Sequence, residues 1–419
     1  MPSRFVLIGA GQCAVAAAEA LRGRGFDGEL VLVGAEAELP YERPPLSKEY
    51  LLGKTAATGL TIKEAAWFTE HAVQLRLGTS VDRIEPGDHL LYLSTGERLN
   101  YDAALIATGG RPRRLPGISG DRVAYLRTRR DADALARQIR RTGEIIILGG
   151  GFIGCEVAAA ARSLGAAVTV LEMHDAPMQA VFGPVVGRAI ARIHQAAGVA
   201  FRTGERVRRV TEHPGGLVVH TDRAELPCGL LLVAAGIRPN VEFLASSGLD
   251  LADGVPVDEY CRTGIEGIFA AGDVAAAYHP LFETRVRVEH YDNAIKHGAA
   301  AAASMLGSDE PFRDPHWFWS DQYEHSLQSV GIATGHYRVV VRGSVDEADF
   351  SAFYLADGAV RSVFALNRAK DVIIGRRMVL GQLNPDPAAL MDTDFDLHEL
   401  VGTGRQKSRV HAAQRPGGS

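Results

Sequence analysis

Two stretches of the chain share the same order of apolar and polar positions. In each, an apolar run leads into a glycine-rich turn, and an alanine-rich segment with helical spacing follows. The first turn holds Gly9 and Gly11, and the second holds Gly149, Gly151 and Gly154. Short apolar runs are typical of buried strands, and apolar positions three or four apart are typical of helices. Each stretch is therefore predicted to form a strand, a tight turn and a helix, the opening of a βαβ unit.

Other apolar runs predict the remaining strands. Residues 29–34, 101–110, 167–172 and 229–236 have the length and composition of buried strands. Between residues 75 and 99, apolar and polar positions alternate around two turns that contain glycine, which predicts a β-meander.

The order of these segments predicts how the domains are arranged. Residues 267–274 resume the pattern of the first domain, so the chain is predicted to leave that domain, form the second and return. Short alternating strands from residue 317 predict a third domain. The predicted fold is α/β, with two Rossmann-like dinucleotide-binding domains and a small α+β C-terminal domain. The predicted boundaries are 1–115 with 241–316 for the first nucleotide domain, 116–240 for the second, 317–402 for the C-terminal domain and 403–419 for a disordered tail.

The two glycine turns indicate the ligand class. The first glycine allows the tight turn, the second lets the backbone approach a pyrophosphate, and the third position, Ala14 or Gly154, lets helix and strand pack closely. Amides at the helix N-terminus then face the phosphates. Two such turns in one chain predict two bound dinucleotides and electron transfer between them.

The end of the second unit's acid strand indicates which nicotinamide coenzyme is used. Glu172 ends this strand, where a carboxylate accepts a hydrogen bond from the ribose 2′-hydroxyl and repels a 2′-phosphate. No lysine or arginine lies between Glu172 and Arg188. NADH is therefore favoured over NADPH.

Composition excludes several other classes of function. A net charge of −5 argues against a nucleic-acid partner. No apolar run approaches the ~20 residues of a membrane span, and the first strand begins so early that no secretory leader is expected. The four cysteines at 13, 155, 228 and 261 form no C-x-x-C pair. Neither a metal site nor a redox disulfide is expected, and these isolated thiols suit a reducing cytoplasm.

Several short segments carry a family resemblance. The most specific are residues 39–48, LPYERPPLSK, and residues 317–323, WFWSDQY. Residues 125–128, YLRT, residues 271–273, AGD, and residues 287–289, RVE, support them. On these segments the chain resembles the FAD-dependent, NADH-using ferredoxin reductases that serve Rieske oxygenases and bacterial cytochromes P450, two-dinucleotide flavoproteins shaped like glutathione reductase.

The resemblance implies a set of site residues. Lys48 and Glu156 are expected to pair beside the nicotinamide, and Phe152 is expected to cover the flavin until the nicotinamide displaces it. Glu289 and Trp319 complete the expected catalytic set. Ala35 stands where the family has an acid, and Glu36 is the candidate to replace that acid. The residues expected to bind the cofactors are Gly9, Gly11, Cys13, Ala14, Ala35, Glu36, Arg43, Pro44, Lys48, Val81, Thr108, Gly109, Arg127, Gly149, Gly151, Phe152, Ile153, Gly154, Glu172, Gly236, Gly272, Asp273, Glu289, His290, Tyr291 and Trp319.

The function predicted from this resemblance is electron transfer from NADH through FAD to a [2Fe–2S] ferredoxin, which supplies a Rieske oxygenase or a cytochrome P450. A local basic set, Arg285, Arg287, Lys296 and Arg313, predicts where an acidic ferredoxin docks. Disulfide reductases and NADH oxidases of this shape need cysteines that the chain lacks near residue 45. Two alternatives stay open: a redox-sensing FAD/NADH-binding protein like apoptosis-inducing factor, and a reductase with another acceptor such as rubredoxin.

Overall fold

The computed structural model describes residues 3–333 and 337–402. The tail that was predicted to be disordered, 403–419, lies outside the described residues. The first part of the chain forms β1 (Arg4–Ile8), α1 (Gln12–Gly23), β2 (Glu29–Gly34), α2 (Ala65–Glu70), β3 (Val73–Leu77), β4 (Val81–Glu85), β5 (Leu90–Leu93), β6 (Arg98–Asn100), β7 (Ala103–Ile106) and β8 (Gly110–Pro112).

The middle of the chain forms β9 (Val123–Ala124), α3 (Arg129–Thr142), β10 (Glu144–Leu148), α4 (Phe152–Ser163), β11 (Ala167–Glu172), α5 (Gln179–Ala196), β12 (Ala200–Thr203), β13 (Val207–His213), β14 (Gly216–Thr221), β15 (Glu225–Cys228), β16 (Leu231–Val233) and β17 (Ile237–Pro239). The last part forms β18 (Val255–Val257), β19 (Ile268–Ala270), β20 (Ala275–His279), β21 (Thr284–Val286), α6 (Tyr291–Met305), β22 (Trp317–Gln322), β23 (His325–Gly331), β24 (Arg338–Ser344), β25 (Asp349–Ala356), β26 (Ala359–Leu366), α7 (Ala369–Leu380) and α8 (Pro387–Met391).

The first sheet is parallel and has the order β19-β7-β1-β2-β3. Along β1, Phe5 and Leu7 belong to the apolar cluster that α1 and α6 cover, whereas Val6 and Ile8 belong to the cluster on the opposite face. Both faces are buried, which explains the continuous apolar run of this strand. β19 joins this sheet from far along the chain, so the chain leaves the sheet and returns, as predicted.

One segment was assigned to the wrong sheet. Residues 75–77 were predicted to begin the meander, but β3 pairs in parallel with β2, with Leu75 beside Leu32. The antiparallel meander consists of β4, β5 and β6 alone. The alternation of residues identifies a strand but not its neighbour, because both faces of a strand in either sheet can be half buried.

The second sheet and the C-terminal domain complete the predicted fold class. The second sheet is parallel, with the order β12-β11-β10-β16-β9, and the antiparallel pair β8 and β17 joins it to the first. The C-terminal domain is a five-stranded antiparallel sheet in the order β22-β23-β26-β25-β24. One of its faces holds a core with α7, and the other packs Phe350 and Phe364 against Phe182 of α5.

Candidate active site

The first glycine turn joins β1 to α1. Gly9 has a φ of +121°, and a Cβ there would stand 2.2 Å from the carbonyl oxygen of Ala107, so only glycine fits. A Cβ on Gly11 would meet no atom within 4 Å, and α1 begins after Gly11 without a side-chain cap. The first amides of α1 are therefore available to an anion, which the helix dipole also favours. The turn fits the pyrophosphate of a dinucleotide.

The second glycine turn repeats this geometry between β10 and α4. Gly149 has a φ of +110°, and its Cβ would stand 2.4 Å from the carbonyl oxygen of Ala234. A Cβ on Gly151 would meet nothing within 4 Å, and one on Gly154 would stand 1.9 Å from the carbonyl oxygen of Gly149. α4 also begins without a side-chain cap. The chain thus has two strand-to-helix turns with the same backbone geometry, and each fits the pyrophosphate of a dinucleotide.

A cavity of about 1170 Å³ runs from the first turn to the start of α4. It exceeds the ~300–1,000 Å³ of most small-molecule sites, which suits an extended ligand. Predicted residues that line it are Gly9, Gly11, Cys13, Ala35, Glu36, Arg43, Pro44, Lys48, Val81, Thr108, Gly109, Arg127, Phe152, Ile153, Glu156, Asp273, Glu289, His290, Tyr291 and Trp319. Predicted residues that do not line it are Ala14, Gly149, Gly151, Gly154, Glu172, Gly236 and Gly272.

An ion pair between Lys48 and Glu156 lies in the wall of this cavity. Lys48 Nζ is 3.0 Å from Glu156 Oε1, and the two side chains are only 12% and 5% exposed. The hydroxyl of Ser320 donates to Oε1 at 2.7 Å, and the hydroxyl of Ser47 donates to Oε2. Lys48 directly follows a short 3₁₀ helix that begins at Pro44, where the paired prolines exclude a regular strand. The pair thus links the first domain, α4 of the second and β22 of the third.

A second ion pair lies beside the first glycine turn. Arg127 donates to Asp273 Oδ2 at 3.0 Å. The Nε of Arg127 is buried and has no hydrogen-bond partner among the described residues. Because a buried donor without a partner is costly, this nitrogen fits an acceptor supplied by a ligand.

The carboxylate of Glu36 is already engaged by the protein. It accepts from the Tyr41 hydroxyl at 2.5 Å and from Arg43 at 2.6 Å. Glu36 lines the cavity next to Ala35, and each carboxylate oxygen keeps a further lone pair. Glu36 can therefore accept a hydrogen bond from a ribose hydroxyl and keep both of these donors. A residue that replaces the acid missing at position 35 needs this capacity.

The start of α6 contributes three predicted residues with perturbed ionisation. Burial raises the pKa of Glu289, although Arg287 pairs with it at 2.6 Å. Burial lowers the pKa of His290 to about 4, so this ring is neutral at pH 7. Burial also raises the pKa of Tyr291, whose hydroxyl donates to Glu42 at 2.8 Å. Of these three residues, His290 therefore adds no charge to the cavity wall at neutral pH, whereas Glu289 is paired with Arg287.

The two faces of β22 meet two different helices. Phe318 packs on Phe152 of α4, with ring centroids 4.0 Å apart. Trp319 meets Tyr291 of α6 edge to face, with centroids 5.8 Å apart. The predicted set omitted Phe318, Ser320 and Ser47. The alternation within WFWSDQY was the available signal, since positions 318 and 320 of a strand share one face.

Glu172 lies at the second turn, outside the main cavity. It is 7% exposed, and its carboxylate accepts from the amides of Gly150 and His174, each at 2.8 Å. The side chain therefore fixes the glycine turn. Its contact with a coenzyme ribose stays a prediction.

The cysteines are free thiols, and all four are buried. Burial raises the pKa of each, that of Cys228 to about 11. No group of three or more potential ligands able to hold a metal ion occurs in residues 3–333 and 337–402. Within the same residues, no helix has the length and apolar character that crossing a membrane would need.

Half of the basic set near α6 is paired with acidic residues. Lys296 pairs with Asp292 at 2.5 Å and with Asp314 at 3.1 Å, and Arg287 is paired as described above. Arg285 donates to two backbone carbonyl groups. Of the predicted set, Arg285 and Arg313 are exposed and have no ion pair within the part of the chain that the structure describes. Two of the four basic residues are therefore paired with acidic residues, and the docking of a ferredoxin at this surface stays a prediction.

Comparison with known proteins covers nearly the whole chain. Residues 3–298 match the pyridine nucleotide-disulphide oxidoreductase family, and residues 317–401 match the Reductase C-terminal domain. The ferredoxin–NAD(+) reductase component of the anthranilate 1,2-dioxygenase system from Burkholderia cepacia is 41% identical over 95% of this chain and 99% of that protein. Rhodocoxin reductase from Rhodococcus erythropolis is 37% identical over 98% of this chain and 97% of its own length.

The same likeness holds among solved structures. The reductase in the covalent putidaredoxin reductase–putidaredoxin complex superposes with a TM-score of 0.92 at 34% identity, covering 96% of this chain and 99% of that one. The resemblance seen in the short motifs thus extends over the full fold. The chain belongs to the pyridine nucleotide-disulphide oxidoreductase family, among its ferredoxin reductases.

Proposed function

We propose that the protein is an FAD-containing reductase that takes electrons from NADH and passes them to a [2Fe–2S] ferredoxin, which supplies a Rieske oxygenase or a cytochrome P450. The observation that carries this proposal is the single cavity that connects the first glycine turn, the Lys48–Glu156 pair and the start of α4. A dinucleotide on each turn would place its reactive end toward this pair. Cys13 lines this cavity, but burial raises the pKa of its thiol, which disfavours thiol chemistry there.

Separate groups of residues would bind FAD and position Lys48. Gly9, Gly11 and the first amides of α1 would hold the FAD pyrophosphate, and Arg127 and Asp273 would bind along its chain. Glu156 would hold Lys48 at a fixed position beside the reacting rings. The chemistry that FAD supplies when bound is the conversion of a two-electron hydride transfer into single-electron transfers.

Phe152 would control access to the reacting centre. Its ring lies between Phe318 and Phe182, with centroids 4.0 and 5.8 Å away. A nicotinamide that enters the cavity would displace this ring and take its place. Glu156 lies one turn further along α4 and is anchored, so the side chain can rotate while the helix stays in position.

NADH is the proposed coenzyme because Glu172 ends β11 and no cation follows it before Arg188. The proposed location is the cytoplasm, where free thiols stay reduced. The family model indicates a pyridine nucleotide coenzyme, and Glu172 is the residue that favours NADH over NADPH.

The test is NADH-driven reduction of cytochrome c with and without a putidaredoxin-type [2Fe–2S] ferredoxin. The expected result is a rate that depends on the ferredoxin and a bound flavin that acid precipitation releases. Slow NADH oxidation with no ferredoxin reduction would instead favour the redox-sensing alternative. Reduction of rubredoxin but of no [2Fe–2S] ferredoxin would reassign the acceptor.

A further inference from the structure

A second cavity, of about 290 Å³, lies where the chain crosses from the first domain to the second. Its walls come from β8, from β9 with the residue that follows it, and from one face of α3. It adjoins the main cavity at Arg111, Pro112 and Asp131, which line both. Neither glycine turn contributes to it, so it is not part of either pyrophosphate site.

Two buried polar atoms in these walls have no partner among the described residues. They are the hydroxyl of Tyr125 and the Oε1 of Gln138. The amide nitrogen of Gln138 donates to the carbonyl of Asp121 at 3.4 Å, which leaves Oε1 as the free end. Buried polar groups normally have partners, so both atoms fit a ligand: one that donates to Gln138 and bonds to the Tyr125 hydroxyl.

The charged groups around the cavity leave one cation available. Arg114 is exposed, lies 5.1 Å above the Tyr125 ring, and has no ion pair in the ranges that the structure covers. Arg111 is occupied by Glu242 and by Asn240. Asp131 is occupied as well, because its carboxylate accepts the amide of Thr128 in the capping box of α3. The free charge at the site is therefore positive.

The remaining walls are apolar and narrow. Ala134 and Leu135 face the cavity from α3, and Pro112, Val123 and Ala124 face it from the crossing segments. The volume lies at the lower end of the ~300–1,000 Å³ range for small-molecule sites, which limits the ligand to about one ring. Such walls favour a flat apolar body over a bare inorganic anion.

We propose that this cavity binds a one-ring aromatic carboxylate that carries a hydroxyl or amino group. The carboxylate pairs with Arg114, the ring lies against Ala134 and Leu135, and the added group donates to Gln138 Oε1. The site is separate from both dinucleotides and does not depend on the identity of the electron acceptor.

The test is calorimetric titration of the FAD-loaded protein with three probes. The expected result is that 3-hydroxybenzoate binds at one site, and that its dissociation constant is unchanged by saturating NAD⁺. Benzoate, which lacks the donor, should bind about tenfold more weakly, and inorganic phosphate should not bind. Displacement by NAD⁺, equal affinity for benzoate, binding of phosphate alone, or no binding of 3-hydroxybenzoate would each overturn the proposal.

Three variants locate the site. Tyr125→Phe removes only the unpartnered hydroxyl, so the unliganded protein should melt no lower than the parent while affinity for 3-hydroxybenzoate falls about tenfold. Arg114→Ala should weaken binding by a similar factor. Arg130→Ala is the matched control, because Arg130 is also exposed and lies in the first turn of α3, beside Asp131, but lines neither cavity. Unchanged affinity in both Tyr125→Phe and Arg114→Ala would overturn the assignment.

Discussion

Replacing Glu156 by glutamine should destabilise the protein far more than the same change at an exposed ion pair. At a separation of 3.0 Å, the attraction between Lys48 and Glu156 is about 5.5 kcal/mol for an effective dielectric constant of ~20. Glu156→Gln removes the charge and leaves the Lys48 ammonium buried and unpaired. Loss of one partner of a buried pair costs ~3–5 kcal/mol. The glutamine keeps an amide oxygen for one serine hydroxyl, so the expected cost is ~3 kcal/mol.

The assay is thermal melting of the FAD-loaded protein, compared between variants because a chain with several domains is not a two-state system. A loss of ~3 kcal/mol should lower Tm by on the order of 5 °C. The matched control is Glu19→Gln. Glu19 pairs with Lys63 at 2.8 Å, but its side chain is 56% exposed. That substitution should cost less than ~1 kcal/mol.

A double variant separates the ion pair from the general effect of substitution. Lys48→Met removes the cation, and Glu156→Gln in that background leaves no uncompensated charge. The double variant should therefore be more stable than the sum of the two single effects predicts, by ~2–3 kcal/mol. Effects that add to within ~0.5 kcal/mol would show that the two side chains are not coupled, and would refute the reasoning.

Three further outcomes follow from the structure. Glu172→Gln should lower the ratio of kcat/KM for NADH to kcat/KM for NADPH by about tenfold, equivalent to ~1.4 kcal/mol. An unchanged ratio would show that Glu172 does not select the coenzyme. Burial lowers the pKa of His194, His290 and His297 to about 4. The unfolded chain therefore binds more protons between pH ~4 and ~6.5, and stability should fall as pH drops through this window, by up to ~1.4 kcal/mol per pH unit for each histidine; a Tm that is flat from pH 4 to 7 would contradict this. A colorimetric thiol reagent should find no reactive cysteine in the native protein at pH 8 and four after denaturation, because all four thiols are buried; rapid reaction of any native thiol would contradict the burial.

Features that depend on local backbone geometry could be predicted from the sequence. Gly9 and Gly149 adopt positive φ and approach a neighbouring carbonyl closely. Glycine at these two positions therefore indicates by itself that the backbone conformation and the space around it are constrained. The two βαβ units and the return of the chain at β19 followed from such turns and from apolar runs. The continuous apolar run of β1 likewise reported that both of its faces are buried.

Features that depend on pairing across the fold could not be predicted in the same way. Apolar and polar residues alternate along β3 as in a meander strand, but β3 pairs with β2. The sequence of residues 73–77 does not indicate which strand is its neighbour. Lys296 was assigned to a local basic set, but Asp314, in the loop before β22, forms an ion pair with it. The contact of Ser320 with Glu156 spans 164 positions, and serine carries no signal of its own for such a role.

The contact between α4 and β22 shows how the third domain takes part in the site. Phe152 and Glu156 lie four positions apart on α4, a rise of ~6 Å along the helix axis. Their partners Phe318 and Ser320 lie two positions apart on β22, a distance of ~6.8 Å along the strand. The two spacings match, so one face of the strand meets one face of the helix at both points. A shift of β22 by one residue would place either Trp319 and Asp321 or the two tryptophans, Trp317 and Trp319, against α4 instead. The register of the C-terminal sheet therefore fixes both the packing of Phe152 on Phe318 and the surroundings of the buried Lys48–Glu156 pair, although neither of the two glycine turns belongs to that domain.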